Sequence, residues 1–114
     1  EFAKDGLLTV YFPFDSYTIQ SSEVENIKKN VDFLRKYGEL KIVINGHGDA
    51  RGSNEYNVIL GEMRANSIRK VFRQNGIDAT RVVITSFGEE KPAVAGDNEE
   101  AWSKNRRAEF EINQ

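Results

Sequence analysis

The sequence predicts an α/β fold of the α+β sandwich type: a mixed four-stranded sheet with helices packed on it, in the order strand, helix, strand, helix, strand, short helix, strand. Two segments with apolar residues at helical spacing each lie between segments of β character, and parallel neighbours in a sheet need such helical crossovers. Two further strands follow the second helix, which makes the sheet mixed. The chain has 114 residues, 39% hydrophobic and 30% charged, the size of one domain around one core. Residues 1–114 are accordingly expected to form a single domain, with 1–6 a linker or cloning remnant.

The run Leu7-Leu8-Thr9-Val10-Tyr11-Phe12 is β-branched and aromatic, and Pro13 ends it because proline cannot continue a ladder. A capping box of Ser22 and Glu25 opens a helix over about 23–37, with Val24, Ile27, Val31 and Leu34 on one face and Gly38 as its stop. Leu40, Ile42 and Ile44 alternate with Lys41, Val43 and Asn45, a strand running into the loop Gly46 to Gly52. A second helix spans roughly Asn54 to Gln74, and Asn75-Gly76 closes it. Val82 to Ser86 reads as a strand, Gly88 to Gly96 as a loop around Lys91-Pro92, and Asn98 to Lys104 as a short helix. Alternation of Ala108, Phe110 and Ile112 with Arg107, Glu109 and Glu111 marks a last strand with one buried face.

Composition narrows function. Sixteen basic and eighteen acidic residues leave a formal charge of -2 without a long single-sign run, which argues against nucleic acid or a membrane surface held by net field. The absence of cysteine removes thiol nucleophiles and Cys-based zinc sites, and a single histidine supplies a metal poorly. No cofactor and no metal are expected. His47 and Asp49 as base and orienter of a hydrolase lack an activated Ser or Thr motif. The pattern Gly46-x-Gly48-x-x-x-Gly52 misses a dinucleotide fingerprint, because the third glycine is one residue late and Arg51 stands in its place.

One residue does not fit its helix. On a wheel of about 100° per residue, Glu55, Glu62, Asn66, Arg69 and Arg73 lie on one side of the second helix, and Leu60, Ile68 and Val71 on the other. Arg64 falls among the second group, a guanidinium aimed into the protein, and such a charge needs a partner. Asp49, at the mouth of the loop entering this helix, is the obvious one. Either the two close into an ion pair that orients the loop, or they are held apart so that a zwitterion bridges them, carboxylate to Arg64 and ammonium to Asp49.

Gly46-His47-Gly48-Asp49-Ala50-Arg51-Gly52-Ser53-Asn54-Glu55-Tyr56-Asn57, followed by Leu60-Gly61-Glu62-Met63-Arg64-Ala65-Asn66, resembles the signature of OmpA C-terminal-like domains. Val10 to Ser16, Ser86 to Pro92 and Asn105 to Ala108 are similar to that family's opening and closing motifs, in its order. The resemblance covers about Thr9 to Ile112. It implies an OmpA-C-like fold and non-enzymatic binding of the peptide stem of peptidoglycan, with meso-diaminopimelate gripped by Asp49 and Arg64. Phe14, Asp15, His47, Arg51, Asn57 and Leu60 become secondary contacts.

Within the family the chain is similar to the lipid-anchored wall proteins of the Tol system. That implies a TolB-like β-propeller as a second partner. It also implies a place on the periplasmic face of a Gram-negative outer membrane, reached through an N-terminal lipid anchor absent from this chain, and a part in envelope integrity and cell division. The wall-binding tail of an OmpA-type porin or a flagellar stator would share the chemistry on another anchor.

Four departures from the family's pattern stand out. Gly48 replaces a common Thr or Ala and is expected to loosen the loop, Ala50 replaces a frequent Glu, Met63 replaces a common Arg, and the Asp97-Asn98 region lacks a histidine. None touches Asp49 or Arg64. Asn105-Arg106-Arg107 offers a basic contact patch, but adjacent arginines at a strand start more often pair with nearby carboxylates or close the fold, and Trp102 is more often a packing anchor than a sugar-stacking platform.

Overall fold

A computed structural model describes residues 7–113; the expected linker at 1–6 lies outside the described residues. The elements are β1 (Val10–Tyr11), α1 (Val24–Lys36) preceded by a 3-10 turn at Ser21–Glu23, β2 (Ile42–His47), α2 (Asn54–Gln74), a 3-10 turn at Ala79–Arg81, β3 (Val82–Gly88), α3 (Glu99–Asn105) and β4 (Arg107–Ile112). The four strands form one sheet in the order β1-β4-β2-β3, parallel between β2 and β3 and antiparallel elsewhere. The mixed α+β architecture is the one the sequence predicts.

Strand alternation sorts the sheet into two faces. Ile42 and Ile44 of β2 and Ala108 and Phe110 of β4 face α1 and α2. There they join Ile27, Val31 and Leu34 from α1 and Ala65, Ile68 and Phe72 from α2 in the core. Val83, paired with Val43 on the other face, stays half exposed. One side of the sheet is therefore covered by the two long helices, and the site is built where α2 meets the end of β2.

Local hydrogen bonding corrects several boundaries. The first strand is two residues long rather than six, because both backbone groups of Leu8 are taken by the side chain of buried Asn30, at 2.7 and 2.9 Å. The Ser22–Glu25 capping box does not form; α1 starts at Val24 without a side-chain cap, and Glu23 instead accepts from the Tyr11 N–H at 3.0 Å. Gly38 does not adopt the left-handed conformation of a helix stop. The end of α1 is satisfied from across the fold, where Arg81 donates to the carbonyls of Leu34, Tyr37 and Leu40 at 2.8–2.9 Å.

The second helix has the limits the sequence predicts. Ser53 caps it by accepting from the Tyr56 N–H, and Gly76 at φ 87° turns the chain so that the Ile77 N–H reaches the Phe72 carbonyl. Gly46 and His47 belong to β2, not to the loop. Glycine is needed at position 46 because α2 lies directly upon it: a Cβ there would stand 1.8 Å from the Gly61 carbonyl oxygen. This contact brings Arg64, one turn beyond Gly61, beside the last residue of β2.

Candidate functional site

Arg64 is fully buried yet forms no ion pair among the described residues. Its guanidinium donates to three main-chain carbonyls: Nε to Ser16 at 2.8 Å, Nη1 to His47 at 2.8 Å and Nη2 to Pro13 at 3.0 Å. The planar fork thus ties the β1–α1 connection and the end of β2 to α2. A guanidinium has five N–H groups, so each terminal nitrogen retains one further donor. Burial lowers its pKa to about 10, opposed by the Asp49 charge, and leaves it cationic at neutral pH.

Asp49 and Arg64 line one cleft of about 290 Å³ without bonding each other, so the closed pair considered from the sequence is not formed. Asp49 is held instead by Arg51, whose Nη2 and Nε reach its two oxygens at 2.8 and 3.2 Å, with Arg106 Nη1 at 3.6 Å. Burial works to raise its carboxyl. The hydrogen bonds from the Arg51 side chain and backbone, with the charges of Arg51 and Arg106, outweigh burial and hold it below the usual value.

Phe14, Asp15, Asn57 and Leu60 line the same cleft, together with Arg51. Asp15 accepts from the Tyr56 hydroxyl, which raises the Tyr56 pKa. Asn57 donates to the Arg51 carbonyl at 2.9 Å and to Glu89 at 2.7 Å, closing the loop onto α2. Gly48 is not a loose point: its N–H bonds the Gly88 carbonyl at 2.9 Å, and a Cβ there would press on the Asn57 amide at 2.9 Å.

His47 stands apart from this group. The parity that turns Ile42, Ile44 and Gly46 to the helices turns its imidazole to the opposite face, stacked on Phe87 at 5.4 Å and 3.7 Å from Glu109. Only its carbonyl serves the cleft, through Arg64. A His47–Asp49 pair of the hydrolase kind is therefore not assembled.

Burial first, then the Arg107 charge, lowers the His47 pKa from 6.5 to about 4 against the pull of Glu109. The unfolded chain takes up this proton near pH 6.5 while the folded protein refuses it. Stability is complete above that pH, declines as pH falls toward 4 and levels below, by about 3 kcal/mol. Urea midpoints measured from pH 7.5 to 4 are expected to fall less steeply in His47→Gln than in wild type. Equal slopes would assign the loss to other groups.

Three further residues, Tyr56, Trp102 and Arg106, contribute to the site without being among those expected from the sequence. Tyr56 was legible, since Tyr56, Leu60 and Arg64 recur every four residues on α2. Trp102 and Arg106 carried no local signal, because α3 and β4 meet the loop only in the folded chain. The Arg51 guanidinium lies 4.0 Å from the centroid of the Trp102 ring and 3.9 Å from that of Phe14. Arg106 donates to the Phe12 carbonyl at 2.9 Å and to Glu99 at 3.1 Å. Arg107 binds Glu109 and the Lys91 carbonyl, as a residue that closes the fold.

The OmpA family matches residues 11–106. The peptidoglycan-associated lipoprotein of Pasteurella multocida is 44% identical over 100 residues, which cover 88% of this chain and 67% of that protein. Its counterpart in Haemophilus influenzae is 42% identical over 100 residues, covering 88% and 65%. The chain thus spans about two thirds of the length of these curated relatives. Among solved structures, the peptidoglycan-associated lipoprotein from Burkholderia pseudomallei is similar with a TM-score of 0.88 at 34% identity, covering 92% of this chain and 89% of that one. With its family signature placed on β2, α2 and the loop between them, the chain belongs to the OmpA family and is similar to the peptidoglycan-associated lipoproteins within it.

Proposed function

We propose that this chain binds the peptide stem of peptidoglycan non-covalently through meso-diaminopimelate, and so tethers the outer membrane to the wall from its periplasmic face, as part of a Tol system. The single observation carrying this reading is that Asp49 and Arg64 line one cleft without neutralising each other. A group with an ammonium and a carboxylate on one carbon matches two opposite charges held apart, and the spare N–H groups of Arg64 are the donors for its carboxylate. Lysine offers the amine alone. The names of the similar proteins agree with a wall ligand.

Calorimetric titration with two soluble muropeptides, one carrying meso-diaminopimelate and one carrying lysine, tests the reading. Selective binding of the first is expected. Equal binding, or none, would remove the zwitterion clamp.

A second reading has its own observation. Tyr56, Ile59 and Met63 are exposed at 49%, 58% and 37% and follow one stripe of α2, with Tyr56 and the 57%-exposed Phe14 at the mouth of the cleft. Such an apolar rim suits a protein partner, a β-propeller of the TolB type, on a surface that overlaps the wall site. The partner and the diaminopimelate muropeptide are then expected to compete.

A further inference from the structure

In the free protein the Asp49 carboxylate is already occupied. Its Oδ1 accepts from the Arg51 backbone N–H at 3.0 Å and from Arg51 Nε, and its Oδ2 accepts from Arg51 Nη2. Arg106 stands beside Oδ2, so one anion faces two guanidiniums, with the Arg64 charge in the same cleft. A ligand ammonium added to this arrangement would be one more cation beside a carboxylate that already accepts three hydrogen bonds from Arg51 and has the Arg106 guanidinium 3.6 Å from Oδ2. One of the two guanidiniums has to give way.

The structure separates them. Arg106 is 9% exposed and is tied to the Phe12 carbonyl and Glu99, whereas the Arg51 side chain is 32% exposed and its guanidinium hydrogen-bonds Asp49. The loop does not depend on that side chain, because the turn uses the Arg51 N–H and the Asn57 contact uses the Arg51 carbonyl. When the guanidinium leaves, it vacates a position 3.9 Å from the Phe14 ring centroid, 4.0 Å from that of Trp102 and beside the Asp49 carboxylate. Two aromatic faces and a carboxylate are the chemistry that receives an alkylammonium.

We infer that Arg51 is an internal stand-in for the ligand's cation: it fills the ammonium position of the cleft in the free protein and is exchanged for that ammonium on binding. Arg51 thereby sets affinity and makes binding depend on a cationic group in the ligand. The inference rests on the cleft being the diaminopimelate site.

Arg51→Met tests it, since methionine is unbranched and neutral and preserves both backbone contacts; its urea midpoint establishes that the variant folds. Calorimetry with the meso-diaminopimelate muropeptide is expected to give binding at least about tenfold tighter in the variant, because the fraction of protein with an open site rises. The same muropeptide acetylated on the free amine is expected to gain nothing. Wild type that binds while Arg51→Met binds equally or more weakly would overturn the exchange and make Arg51 a direct ligand contact. An equal gain for the acetylated muropeptide would overturn it too, since widening alone would then explain the effect. Failure of both proteins to bind either muropeptide would remove the diaminopimelate reading itself, and the inference with it.

Discussion

Arg64→Ala is expected to abolish muropeptide binding and to lower folding stability by about 3–5 kcal/mol. The two losses have one origin. Deleting the guanidinium takes the donor from the buried carbonyl of His47 and from the part-buried carbonyls of Pro13 and Ser16, and it leaves a void where a fully buried side chain stood. The same deletion removes the cleft's donor for a carboxylate. Arg64→Lys separates the effects: it keeps the charge but cannot serve three diverging carbonyls and still present a fork. A folded Arg64→Lys protein with binding weakened by about tenfold or more, a change of ~1.4 kcal/mol, is the expected result. Urea unfolding and calorimetry on both variants check this. Wild-type affinity in either would show that the carboxylate is held elsewhere.

Gly46→Ala is expected to destabilise by about 3 kcal/mol or more, the upper range for overpacking. The added methyl would meet the Gly61 carbonyl at 1.8 Å, and backbone cannot rotate aside as a side chain would. Relief requires α2 to lift from β2, which also draws Arg64 from the His47 carbonyl. Gly38→Ala provides the comparison, since a Cβ there meets nothing within 4 Å and its backbone is outside the left-handed region. That substitution is expected to be neutral or slightly stabilising, because alanine lowers unfolded-chain entropy in both variants alike. The difference between the two urea midpoints isolates the helix–strand contact. Similar midpoints would mean that β2 and α2 are not in this register.

Strand parity explains the one secondary residue that left the cleft. From the sequence alone the second strand ends near Asn45, since Gly46 resembles the start of a loop. A glycine in a strand also marks close approach of another backbone, and that is its role here. Extended by two residues, the alternation of Ile42, Ile44 and Gly46 would itself have turned His47 to the far face.

Element order, the limits of α2 and the inward aim of Arg64 were legible in the residues alone, because hydrophobic periodicity is local and each position carries its own transfer preference. The partners of the charges were not. Asp49 is held by a neighbour two residues away and approached by another fifty-seven positions along the chain, Arg64 is satisfied by three carbonyls rather than by Asp49, and Arg81 completes a helix that Gly38 was expected to stop. A charge takes whichever partner stands a few ångströms away. That distance is fixed by how α2 settles on β2, which tertiary packing alone decides.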